Sequence, residues 1–470
     1  MNFLKKLSKE TIIYGFGKGI SGLITIFMIP LYTRALGVEG YGLIDVLATV
    51  NAFLYMLTVS GLDSAVPFYY FDAGKSYTKK IISFNGIFIR FCLAVILPLL
   101  SYPFVVRYCL VLSDKFLVNV EYIVFVALSI IPFLTLQAYS RDFLRIVEKP
   151  FYFLYCTVFY SLLSVGSQIF FVLILQRSIY GYFEALLFSE FVSGCLFILL
   201  IKKYFEFKIS RKIIVLLIKY GLPLLPSGLM FLILSLFDRN IVASKLGLEY
   251  SGIYALSNKV VAILAFCITS FQLAWGILGL SVKNDKNAKK IYSFVFSLYL
   301  LVTTFIGMCL TLFSKEAVII FGGNDFVEAY KLVGVLCLAQ IILGLFNQVA
   351  IGSIIMRKTV NVLKSVTPGV IINIAFALLF IKYFGLLGGG ISKVTGYLLT
   401  VGIMFWLSQK NYLIKYNLYI FAISLLLLIA IIILNLYFDI NVWFKFGLIV
   451  FIFLVYSVTL YNEYKRCFGV

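Results

Sequence analysis

Apolar residues in this chain recur in blocks of roughly 20, the length of helix that crosses a hydrocarbon core about 30 Å thick. A backbone placed in lipid has no water to bond with, so it must satisfy its own amides and carbonyls. Helices do this within one segment. Marking each block by its charged or Gly/Pro/Asn-rich breaks predicts fourteen membrane helices. They fall near residues 11–33, 43–70, 81–106, 119–139, 151–175, 181–201, 213–236, 251–280, 291–313, 331–355, 362–384, 388–408, 417–437 and 442–462. The breaks are too short to hold an independent soluble domain. Composition agrees: 62% of the 470 residues are hydrophobic and 13% charged, with a mean hydropathy of +1.05. A soluble domain carries about a quarter charged residues. The expected class is an all-α membrane protein of about 14 transmembrane helices.

The net charge of +20 would suggest a nucleic-acid partner in a soluble chain. Here the cations sit mostly in short segments between apolar blocks, where they face anionic headgroups and fix topology. With the N-terminus placed inside, 25 Lys and Arg fall on inside segments and 10 on outside ones. Adding or removing one helix breaks that alternation, so the pattern supports both the count and two cytoplasmic termini. The basic start, MNFLKKLSKE, resembles a signal-peptide flank, but the apolar run after it is too long and no A-x-A-like cleavage site follows. It reads as the first membrane helix.

The chain has no histidine, and its eight cysteines are scattered without C-x-x-C spacing. This argues against a zinc site, a haem or a disulfide framework, and removes every His-based triad or proton shuttle. No cofactor is expected.

An internal repeat divides the chain. LGVEGYGLI at Leu36–Ile44 parallels LGLEYSGIY at Leu246–Tyr254, each in the loop after the first helix of a six-helix set. Two lobes follow, 1–205 and 206–408, with an appended helix pair at 409–470. Parallel repeats of this kind suit a transporter whose lobes rock about a central cavity.

Five cations fall inside the predicted spans: Lys18, Arg90, Lys219, Lys259 and Lys393. Each would cost about 2.5–3.5 kcal/mol at the bilayer centre if it faced lipid. Lys219 is close enough to a helix end to snorkel. Arg90 is too deep for that, and Lys18, Lys259 and Lys393 sit beside polar or glycine neighbours. These four are the candidate substrate-binding residues. Gly17–Gly19–Gly22 formally matches G-x-G-x-x-G, but no strand precedes it, and close helix packing explains it better. Among the embedded acids Asp63 and Glu190 are placed deepest, as candidate H+ or Na+ coupling sites. Ion pairing with the embedded cations explains them equally well.

The opening YGFGKGISGLITIFMIPLYTRALGVEGYGLIDVL resembles that of polysaccharide-repeat flippases of the MATE-like superfamily. Tyr220–Val260, with its G-L-P, D-R and G-x-Y elements, and GLLGGGISKVTGYLL near residue 390 are similar to later parts of the same family. The resemblance implies a flippase for O-antigen, capsule or exopolysaccharide synthesis in a bacterial inner membrane. It would carry an undecaprenyl-pyrophosphate-linked oligosaccharide from the cytoplasmic to the outer leaflet by alternating access, through a cationic cavity holding Lys18, Arg90, Lys259 and Lys393. Membrane lipids are expected partners, with a polysaccharide polymerase and a chain-length regulator as further candidates.

Two other readings compete. A cation-coupled drug or metabolite exporter of the same fold would hold a cationic substrate on cavity acids, which five embedded cations disfavour. A membrane-embedded O-antigen polymerase needs a long external loop with catalytic residues, and no such loop or constellation is present. The chain is therefore expected to be a transporter and not an enzyme.

Overall fold

The computed structural model describes residues 2–71, 78–112, 119–283, 285–356, 358, 360–438 and 441–468, with side chains described from residue 28 onward except at 273, 274, 276–278, 280, 281 and 468. Among these residues every regular element is a helix. The chain divides into two compact units, Met1–Leu229 and Met230–Val470. The first contains α1 (Asn2–Val59), α2 (Leu62–Phe71), α3 (Lys79–Leu112), α4 (Val120–Ile146), α5 (Pro150–Gln168), α6 (Ser178–Ile201) and α7 (Arg211–Gly221). A single 3-10 turn leads into α8 (Leu225–Leu246), which runs across the division. The second unit continues with α9 (Leu248–Ser281), α10 (Ala288–Leu312), α11 (Ser314–Gly322), α12 (Tyr330–Gly344), α13 (Phe346–Ile355), α14 (Val360–Phe384), α15 (Leu386–Asn411), α16 (Leu418–Tyr437) and α17 (Val442–Phe468).

Thirteen stretches among the described residues are long and apolar enough to cross a membrane. The remaining expected span, 11–33, lies on α1, mostly where side chains are outside those described. Large apolar side chains point outward on most spans; on α17 they include Trp443, Phe444, Phe451 and Leu454. A soluble monomer rarely exposes contiguous apolar patches above a few hundred Å². On a multi-pass membrane protein this surface meets acyl chains. Trp406 and Trp443 are exposed as interfacial anchors should be. Trp275 is not: it is buried edge-to-face against Tyr292.

The repeated nonapeptide has a backbone reason. Gly37 and Gly247 both take left-handed φ values, 68° and 99°, and each ends one helix and starts the next. A residue with a Cβ pays about 1–3 kcal/mol to hold such a positive φ, so glycine recurs at both turns.

The division at 229/230 lies later than the 205/206 boundary read from the sequence. The cause is α7, which packs on α2 and α3 within the first unit. Residues 409–470 likewise pack on α10 and α12 in the second unit. Lys445 of α17, itself buried, pairs with Glu316 of α11 at 2.6 Å, and the Asn435 side chain donates to Ser314 Oγ at 3.1 Å.

The break between α1 and α2 matters for the site. Ser60 and Gly61 both have positive φ, and Gly61 lies with its backbone against the carbonyl of Gly221 at the end of α7. A Cβ on Gly221 would in turn meet the Ser60 carbonyl oxygen at 2.6 Å. Gly61→Ala should therefore destabilise the fold by more than the about 1–2 kcal/mol of a left-handed backbone alone. Thermal unfolding in detergent measures this, and an unchanged midpoint would show that the two breaks do not stay in contact.

Candidate functional site

Arg90 lies on the inner face of α3, with Ile87, Ile89 and Ala94 buried around it. Asn85, one turn earlier, anchors this helix to the chain before α7. Its side-chain nitrogen donates to the carbonyls of Ile81 and Lys208 at 2.8 Å each, and its oxygen accepts from the Ser210 amide at 2.9 Å. Arg90 is thereby held at 3% exposure, its guanidinium 5.3 Å from the centre of the Tyr139 ring. Tyr139 is oriented by its hydroxyl, which donates to the Ser83 carbonyl at 2.7 Å. Arg90 Nε has no hydrogen-bond partner, and among the described residues Arg90 makes no ion pair.

The guanidinium lines a cavity of about 480 Å³ wholly within the first unit. The other polar walls are Asp63 from α2, Asp142 and Arg145 from α4, and Glu148 from the turn that follows. Tyr55 of α1 lies within electrostatic reach of Arg90, Asp142, Arg141 and Glu190, so the polar residues continue from this cavity toward α6. There Glu190 is buried and accepts a hydrogen bond from the Tyr160 hydroxyl at 2.6 Å, while its second oxygen has no partner.

The sequence expectations meet this geometry unevenly. A continuous span over residues 43–70 would place Asp63 deep. The structure instead puts it on the exposed rim of the Arg90 cavity. The break at Ser60–Gly61 restarts the helix, and Asp63 falls in the first turn of α2, where a carboxylate favours the unpaired amides. Its Oδ1 accepts from the Ser64 amide at 3.0 Å.

Lys393, expected on an open cavity, is instead 5% exposed, and its Nζ lies 3.1 Å from Asp238 Oδ2 and 2.9 Å from the Ser235 carbonyl oxygen. The Tyr254 hydroxyl donates to the same carboxylate, and the ammonium sits 5.9 Å from the Tyr254 ring centre. Lys393 is thus matched within its own unit. Lys259 is half-buried on α9, next to Asn258, whose side chain donates to the Tyr254 carbonyl at 2.9 Å. Lys18 lies on α1, and its side chain is outside the described residues.

The tyrosines escape sequence reasoning. Tyr139, Tyr160 and Tyr254 each hold a charged group by ring or hydroxyl, yet in a chain with 32 tyrosines nothing in spacing singles them out.

Among solved structures, a lipid II flippase, MurJ, in an inward closed conformation shares the fold at a TM-score of 0.77 and 16% identity, covering 96% of this chain and 99% of that one. An outward-facing MATE-family multidrug resistance transporter aligns at a TM-score of 0.60 and 15% identity over 86% of this chain and 95% of that one. A mutant of the Vibrio cholerae MATE transporter VcmN aligns at a TM-score of 0.60 and 14% identity, covering 86% of this chain and 96% of that one. These likenesses establish the fold. Among curated proteins no sequence matches the chain. Residues 7–276, more than half of the chain, match the family described as polysaccharide biosynthesis protein. With its MATE-like helical fold, the chain belongs to that polysaccharide biosynthesis family.

Proposed function

We propose that this protein is a flippase that carries an undecaprenyl-pyrophosphate-linked oligosaccharide from the cytoplasmic to the outer leaflet of a bacterial inner membrane, by alternating access. The observation that carries the reading is Arg90: a buried guanidinium, without an ion-pair partner among the described residues, on the wall of a cavity large enough for a ligand. Asp63, Asp142 and Glu148 share the cavity, but none of them pairs with Arg90 among the described residues, so the buried guanidinium keeps bonding capacity that an anionic ligand can fill. Pyrophosphate is a compact multiple anion, and the planar guanidinium fork matches its oxygens two at a time. Lys18 and Lys259 are further candidates for the same ligand, and Lys393 joins them only if its pair with Asp238 opens. Glu190, buried with one oxygen unpartnered, supports a coupling role for H+ or Na+ better than the exposed Asp63 does. The Lys and Arg alternation supports two cytoplasmic termini. A drug exporter of the same fold would hold a cationic substrate on cavity acids. Asp63, Asp142 and Glu148 do line this cavity, and it is the buried Arg90 beside them that favours a ligand with an anionic end.

In the source cell, loss of this protein should abolish the surface polysaccharide it serves. The lipid-linked repeat should then accumulate on the cytoplasmic leaflet, out of reach of a lectin added outside spheroplasts. Unchanged surface polysaccharide would refute the reading.

A further inference from the structure

Most of the wall around Arg90 is not cationic. Asp63, Asp142 and Glu148 share the lining with Arg90 and Arg145. Asp142 lies 3.7 Å from Arg145, and Glu148 has contacts of its own. Asp63 is bound only to the amide of its neighbour among the described residues, so three of its four lone-pair positions are available. Such a rim repels a second anion but accepts hydroxyl hydrogens. Phe71, exposed at the end of α2, adds a flat apolar face whose negative ring surface suits polarised C–H groups. At about 480 Å³ the cavity falls in the size range of small-ligand sites. The ligand that fits has a compact anionic end for the guanidinium and a neutral, hydroxyl-bearing body for the rim.

We propose that this cavity is a sugar-reading subsite in which Arg90 takes the phosphate nearest the sugar while Asp63 and Asp142 accept hydroxyl hydrogens from that first sugar. The first unit then discriminates among glycosyl diphosphates, beyond holding their charge. This assignment rests on the phosphate-binding reading of Arg90 above. Phe71 packs against the C–H face of the same ring. The carboxylates set which hydroxyl configurations are accepted, because a hydroxyl pointing away leaves a carboxylate oxygen without its donor.

The test uses the full chain in detergent. It compares the binding of bare farnesyl diphosphate with that of farnesyl diphosphates bearing glucose, galactose, N-acetylglucosamine or N-acetylgalactosamine. At least one glycosyl probe should bind about tenfold or more tighter than the bare one, the ratio expected of one hydrogen bond to a charged group. Asp63→Asn and Asp142→Asn should each pull that ratio down toward unity. Both probes are measured on the same preparation, so a loss of folded protein cancels in the ratio. Three results overturn the assignment: no sugar in the panel improves on farnesyl diphosphate, neither variant changes the ratio, or phosphoethanolamine displaces the glycosyl probe as well as it displaces the bare one. The last would make the cavity a zwitterionic headgroup site. If farnesyl diphosphate binds, Arg90→Gln loses it and sugars add nothing, then only the sugar assignment falls. If the wild type binds no diphosphate at all, the reading of Arg90 falls with it.

Discussion

Arg90→Gln should slow transport of the lipid-linked oligosaccharide by about 100-fold or more while leaving the amount of folded protein in the membrane unchanged. The magnitude follows from two hydrogen bonds to a charged group, at about 1.5–3 kcal/mol each, with each 1.4 kcal/mol worth a factor of ten. Folding should tolerate the change, because Arg90 has no ion pair to lose among the described residues, and glutamine keeps a polar tip beside Tyr139. Arg90→Lys keeps the charge but not the fork, and should fall between wild type and Gln. A reconstituted transport assay with quantified protein is the measurement. Wild-type transport in the Gln variant would remove Arg90 from the binding machinery.

The second large effect belongs to stability. Asp238 is 1% exposed and holds both Lys393 and the Tyr254 hydroxyl. Asp238→Ala should cost about 3–5 kcal/mol, because it strands a buried ammonium. Asp238→Leu combined with Lys393→Met should recover part of that loss, since removing both charges leaves no buried ion unpaired and strands only the Tyr254 hydroxyl. Thermal unfolding of the purified variants reads the difference. A double variant no more stable than Asp238→Ala would mean that the pair is not the dominant contact. The same double variant bears on function: if it folds and transports normally, Lys393 serves the fold and not the cargo.

These two cations show where sequence reasoning stops. Arg90 and Lys393 look alike in the sequence, each a lone basic residue within an apolar block, and insertion energetics treats them the same. Whether such a charge is matched depends on a carboxylate far away in the chain, 155 residues for Lys393, and no local pattern reports that. Asp63 shows a related limit. Its expected depth follows from its place in a continuous span, and two residues of left-handed backbone at Ser60–Gly61 move it to a helix start. The span pattern is readable because hydrophobic length is a local property, and thirteen of the expected crossings recur among the described residues. The turns at Gly37 and Gly247 are readable for the same reason, as local backbone demands leave a repeated nonapeptide.

The enclosure of Arg90 against Tyr139 also bears on how tightly a cargo can be held. Its side-chain freedom and most of its hydration are surrendered when the protein folds, before any ligand arrives. An arriving oxyanion therefore meets a preorganised fork, and more of the contact energy survives as affinity than a solvated, mobile lysine on the surface could deliver.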